Sequence, residues 1–211
     1  MNARAPIAGA LTAILLWAAP SFAANDGTPG SIELEMPPAS GRAAVVGQIG
    51  HADVAQISQS AANAYAEIRQ DGERNEAAVE QRGSGSAHVE IRQTGDFNRA
   101  GATQRGSGQN VLYVTQTGSG NRLVGDQTAE GTLHNGAILT QIGYGNDMML
   151  TQDGSDNRAV LAQAGSGNEM AAAQNGDGNR LIWSQDGNNL PNLGVTQTGG
   201  QAVQITQTGG Q

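Results

Sequence analysis

The sequence predicts an all-β fold: a β-solenoid of stacked strand-turn-strand coils with two facing parallel sheets and cross-β order. Three observations predict it. A glutamine returns about every eleven residues, a glycine follows two places after it, and the residues between alternate in polarity.

The glutamines are Gln48, Gln59, Gln70, Gln81, Gln93, Gln104, Gln116, Gln127, Gln141, Gln152, Gln163, Gln174, Gln185, Gln197 and Gln207. Nine of the fourteen intervals are 11 residues, three are 12, one is 14 and one is 10. Glycine follows at +2 after all but Gln59 and Gln127, as at Gly72, Gly95, Gly118, Gly143, Gly154, Gly165, Gly176 and Gly187. Asparagine follows at +5 at Asn75, Asn98, Asn121, Asn146, Asn157, Asn168 and Asn179. The unit is therefore Q-x-G-x-x-N-x-x-x-x-x-Q.

Eleven residues also fit three helical turns, but each glycine inside a helix costs about 1 kcal/mol. Gly-x-x-Asn is instead turn chemistry, in which both residues tolerate positive φ. Between turns the chain alternates as a strand does. Asn157, Ala159, Leu161 and Gln163 share one face, as do Asn179, Leu181, Trp183 and Gln185, and Asn146, Met148, Leu150 and Gln152. The opposite face carries Arg158, Arg180, Asp147, Thr151 and Ser184, with Val160, Ile182 and Met149 among them. About seven strand residues and a turn of about four make each unit, and two units make a 22-residue coil. Fifteen strands at ~4.8 Å per coil predict a rod roughly 35 Å long.

A buried amide costs roughly 1–3 kcal/mol when unpaired. In a solenoid the same position recurs one coil above and below, so Asn and Gln can donate to one neighbour and accept from the other. Fixed register is required for the amides only. Small Ala, Leu, Val and Ile then fill a thin core between the ladders. Outside, the order Glu76, Arg99, Arg122, Asp147, Glu169 places Glu76 beside Arg99 and Arg122 beside Asp147, in exposed pairs worth about 0–1 kcal/mol.

Residues 1–23 read as a signal peptide: Arg4, an apolar stretch Ile7–Ala19, then Ser21-Phe22-Ala23 at a cleavage site. Thirteen apolar residues are too few to cross ~30 Å of hydrocarbon. Residues 24–41, with Pro37-Pro38, read as a flexible leader, and 42–211 as the repeat solenoid. The chain has no cysteine, so disulfides do not hold it, and 3% aromatic residues cannot build a thick core. A net charge of −8 argues against nucleic acid as a partner. No small-molecule substrate, cofactor, catalytic or metal site is expected. No nucleophile motif or paired acids occur, and His51, His88 and His134 follow no ligand spacing. His88 falls on the outward face. The C-terminal TQTGGQAVQITQTGGQ still carries the repeat, so a rod with matching, uncapped ends is expected to add head to tail.

The pattern S/N-x5-Q-x-G-x-x-N-x-A-x3-Q resembles the curlin repeat, and VEIRQTGDFNRAGATQRG (Val89–Gly106) is similar to curlin units throughout. The resemblance spans about Arg42–Gln211. It implies a secreted, self-polymerising functional amyloid, extracellular on the surface of a Gram-negative bacterium, serving adhesion and biofilm. It further implies a second curlin subunit, a dedicated secretion pore and a periplasmic chaperone as partners. Asp153, Asp177 and Asp186 resemble the residues that temper premature aggregation in curlins. Departures from the family pattern are the stretched interval Gln127–Gln141, Ser60-Ala61 after Gln59, and Asn or Ala at the leading Ser. They leave open a bulk or a nucleating subunit. A calcium-binding β-roll, or another soluble β-solenoid binding protein, is the alternative, because DGSDN (153–157) and NGDGN (175–179) are acidic glycine turns.

Overall fold

The structure is a computed structural model that describes residues 41–209; the expected signal peptide, nearly all of the leader, Gly210 and Gln211 lie outside them. Each eleven-residue unit becomes one strand. In chain order these are β1 (Arg42–His51), β2 (Val54–Gln59), β3 (Asn63–Glu73), β4 (Glu76–Gln81), β5 (Ser86–Asp96), β6 (Arg99–Gly106), β7 (Gln109–Ser119) and β8 (Arg122–Ala129). There follow β9 (His134–Tyr144), β10 (Asp147–Asp153), β11 (Arg158–Ser166), β12 (Glu169–Asn175), β13 (Arg180–Asn188), β14 (Val195–Thr198) and β15 (Ala202–Thr208). Odd strands form an eight-stranded sheet and even strands a seven-stranded one, all pairs parallel. The result is an all-β solenoid of about seven turns.

Register follows the glutamines. Each stacks on the glutamine one coil away, from Gln48↔Gln70 to Gln185↔Gln207 in the larger sheet and from Gln59↔Gln81 to Gln174↔Gln197 in the smaller. Alternation then sends every second residue inward, as a period-2 strand must. The core is a thin stack of Ala, Val, Ile and Leu, with Met148, Met170 and a fully buried Trp183. Gly125 takes a core position between Leu112 and Leu139, where an added Cβ would come within 3.0 Å of Leu112. A large residue on one sheet here faces a small one on the other, which keeps the gap filled.

Three expectations are corrected. Val160 and Ile182 are on the outer face yet 9% exposed, because parallel neighbours one coil above and below cover them. His88 is outward in register but only 2% exposed, stacked on Tyr65 with ring centroids 4.8 Å apart and tilted against Tyr113 at 5.5 Å. Positive φ falls on the repeat glycine, as expected, but not on the asparagine; the second such residue is the one before it, as at Arg74, Phe97, Gly120, Gly145, Asp156, Gly167 and Gly178. The asparagine itself is held by its side chain.

Candidate functional site

Thirteen glutamine-to-glutamine hydrogen bonds, 2.7–3.0 Å long, join the fifteen repeat glutamines into two files. Gln48, Gln70, Gln93, Gln116, Gln141, Gln163, Gln185 and Gln207 run along the larger sheet. Gln59, Gln81, Gln104, Gln127, Gln152, Gln174 and Gln197 run along the smaller. In every bond Nε2 donates toward the C-terminal end and Oε1 accepts from the N-terminal side. The second proton of Nε2 crosses to the facing sheet, as from Gln163 to the Asp147 carbonyl (3.0 Å) and from Gln185 to the Glu169 carbonyl (2.9 Å). Between Gln70 and Gln197 both protons and the carbonyl oxygen of each amide are therefore used, which makes burial tolerable. The same bond ties one sheet to the start of a strand in the other.

The asparagines form a counter-running ladder. Nδ2 of Asn98, Asn121 and Asn146 donates to Oδ1 of the asparagine one coil toward the N-terminus, at 3.0–3.1 Å. The backbone N–H of the same residue reaches the same oxygen, at 3.1–3.2 Å. Asn75 stands at the foot of this file on Asp53, whose Oδ1 accepts its N–H at 2.8 Å, and Asn168 ends the file through its N–H to Asn146. Asn157 and Asn179 belong to a second file on the opposite turn edge, linked at 2.9 Å. Nδ2 also caps the glycine carbonyl of the next coil, as from Asn98 to Gly118 (2.9 Å) and from Asn168 to Gly187 (2.8 Å).

That carbonyl explains the glycines. Gly72, Gly95, Gly118, Gly143, Gly154, Gly165, Gly176 and Gly187 all have positive φ, between 78° and 142°. At all of them except Gly176 an added Cβ would come within 3.0 Å of backbone in the next coil. Gly72, Gly95, Gly118, Gly143, Gly165 and Gly187 sit inside strands rather than in turns. They bend the strand end while staying in the ladder, which a left-handed, close-stacked backbone permits only to glycine.

Two ladder members escaped the forward count from glutamine. Asn110 and Asn135 are buried and stack on each other, with Asn157 following through its N–H at 3.1 Å. Insertions between Gln104 and Gln116 and between Gln127 and Gln141 displace them from the +5 place. Counting back six residues from the next glutamine finds both, because insertions fall in the turn and never in the strand.

Outer charges pair as their stacking dictates: Arg99–Glu76 and Arg122–Asp147, both at 3.1 Å and exposed. The Tyr65 hydroxyl donates to Glu67 at 2.6 Å. This bond, then burial, then the charges of Glu67 and Glu90 push the phenol up to about 12. Of the turn aspartates, Asp177 accepts the Ser155 N–H at 2.7 Å. Among the described residues no three His, Asp or Glu side chains are grouped to hold a metal.

A family model described as the Curlin associated repeat matches residues 146–176, from Asn146 of one coil into the turn after β12. No curated protein and no solved structure gives a match. The match supports the resemblance to the curlin family, and the repeat together with the β-solenoid fits a curli-like subunit.

Proposed function

We propose that the chain is a secreted structural subunit that adds head to tail into extracellular amyloid fibres of the curli type, on the surface of a Gram-negative bacterium. Its role there is adhesion and cell aggregation in a biofilm matrix, with export after removal of residues 1–23. The role is structural, not catalytic. The polymerisation site is the ladder set itself, Gln48 to Gln207 with the asparagines and close-stacked glycines.

One observation carries this reading: every glutamine amide points the same way. At the N-terminal face, Gln48 and Gln59 present Oε1, an acceptor to which nothing donates among the described residues. At the C-terminal face Gln207 spends one Nε2 proton on the Pro191 carbonyl at 3.1 Å, and the other has no acceptor among the described residues. A unidirectional file with acceptors at one end and donors at the other is satisfied by another copy in the same orientation. The strand edges beside these amides add backbone bonds of the same polarity.

The test is assembly of the whole chain without calcium. Thioflavin-positive fibres with reflections near ~4.7 Å and ~10 Å are expected. Gln163→Ala with Gln185→Ala should lengthen the lag, because removing two adjacent members of one file strands the Gln141 amide, takes a donor from Gln207 and frees the Asp147 and Glu169 carbonyls. A chain that stays monomeric and needs calcium to fold would overturn this reading in favour of a β-roll.

A further inference from the structure

The described solenoid has an odd number of strands, fifteen, so both of its end strands, β1 and β15, belong to the same sheet. This constrains how two copies join. Strands alternate between sheets, each about half a coil, or ~2.4 Å, further along the axis. Suppose the next copy is placed with its larger sheet continuing the larger sheet. Its β1 then stacks on β15 at the proper ~4.8 Å, but its β2 lies ~9.6 Å from β14. One strand is missing from the smaller sheet at every joint, and backbone groups there stay unpaired inside a cross-β stack, at high cost.

Turning the next copy by half a turn about the axis removes the gap. Its β1 then stacks on β14 and its β2 on β15, each one coil away, and both sheets run on unbroken. With glutamine set on glutamine, Gln207 meets the next copy's Gln59, and Gln197 meets its Gln48, reaching it with the proton that the single chain turns to the Gln201 carbonyl. Inward Val195 meets Val46, and Ile205 meets Ile57. Val46 is 49% exposed on the single chain although it pairs in register with fully buried Ile68. No charged side chain of β14 or β15 is brought against a like charge, since neither strand carries one.

An orphaned atom independently favours this joint. Among the described residues, Oδ2 of Asp53 is buried without a hydrogen-bond partner. Asp53 stands at the N-terminal foot of an asparagine file, six residues before Gln59. Half a turn places it over Gln201, the residue six before Gln207, which occupies the same file position and whose N–H reaches Asn179 Oδ1 at 3.3 Å. The carboxamide of Gln201 is a donor suited to that carboxylate oxygen. Without the turn, Pro191 is the corresponding residue, two coils away and with no donor.

We propose that successive copies are related by a half-turn about the fibre axis, so that β15 of one copy pairs with β2 of the next and the structural repeat is two chains. The proposal rests on the head-to-tail reading above. In the whole chain, which has no native cysteine, Gln204→Cys with Gln56→Cys should give disulfide-linked multimers on oxidation. Both positions are exposed on outer faces and would lie one strand spacing apart, within disulfide reach. Gln204→Cys with Val45→Cys should give none. Sedimentation of the polymer before oxidation separates the two ideas: no polymer from the unsubstituted chain overturns the fibre reading. Polymer that cross-links through the Val45 pair, or through neither pair, overturns the half-turn. Electron cryomicroscopy of unsubstituted fibres provides a check free of substitutions. A rotation per chain of about 180° plus the sheet twist is expected, and a rotation given by the twist alone overturns it.

Discussion

The two turn edges of the solenoid are built from the same repeat and differ in how much they tolerate. On one edge the chain passes from the larger sheet to the smaller, through residues 50–53, 72–75, 95–98, 118–121, 143–146 and 165–168. All six are Gly-x-x-Asn, or Gly-x-x-Asp at the first, and the six glutamine intervals across them are 11 residues; only the seventh and last crossing departs, with Leu190 in the asparagine place and an interval of 12 from Gln185 to Gln197. On the other edge the intervals in chain order are 11, 12, 12, 14, 11, 11 and 10. The asparagine file is continuous from Asp53 to Asn168 on the first edge. On the second, Ala64 and Ala87 hold its first two places, and it runs only from Asn110 to Asn179. Inserted residues there, such as Glu130–Leu133, are largely exposed and leave the flanking glutamines in register. One edge therefore sets the coil spacing, and the other absorbs variation.

The largest expected effect tests this at glycine. Gly118→Ala puts a Cβ against the Gly143 carbonyl at a φ of 111°, and should cost roughly 3 kcal/mol in denaturant unfolding. Gly131→Ala, on the variable edge, has φ 73° and no atom within 4 Å, and should cost about 1 kcal/mol. Equal costs would erase the distinction between the edges.

Next comes the asparagine file. Asn121→Ala leaves the N–H and Nδ2 of Asn146 and the Gly143 carbonyl without their partner. A loss of about 1–3 kcal/mol is expected from orphaned buried groups, well beyond a single exposed bond. A change within error would mean that water replaces the amide.

An insertion sharpens the contrast further. A Ser-Gly pair placed after Gly131 should alter stability by less than about 0.6 kcal/mol, the scale of loop lengthening. The same pair placed after Ser119 should abolish the cooperative transition, because it shifts Asn121 out of its file. Circular dichroism melts of both variants decide the point.

The smallest effect is in pH. Tyr65, just after the variable edge, has its phenol pushed up to about 12 from 10.0, mainly by its bond to Glu67. The folded state holds that proton more tightly than the unfolded chain. Its contribution is fully present below pH 10 and is lost as pH rises through about 12. Phenolate absorbance should show Tyr65 titrating late in the native protein. In Glu67→Gln the Tyr65 titration should fall back toward 10.0, and a titration that stays near 12 would dissociate the shift from Glu67.

The strands, their faces and the glutamine files were legible in the residues. A period of eleven, a period of two within it and a fixed amide leave one stacking register, since any one-residue slip turns every glutamine outward. The asparagines were legible where turns have constant length and illegible at Asn110 and Asn135, because a forward count accumulates the inserted residues. His88 read as outward because alternation gives the direction of a side chain but not what lies beside it. Its burial is due to Tyr65 and Tyr113, one coil away on each side of the sheet but 23 and 25 residues away in sequence.

By itself, then, the sequence determined which residues point inward and which amides must meet, because those follow from spacing along one strand. Tertiary structure alone decided the direction of each ladder, the counter-running asparagines, the glycines' place inside strands and the orphaned Asp53 oxygen. These depend on atoms from neighbouring coils approaching within hydrogen-bond distance, and a linear period specifies the neighbour without specifying the geometry.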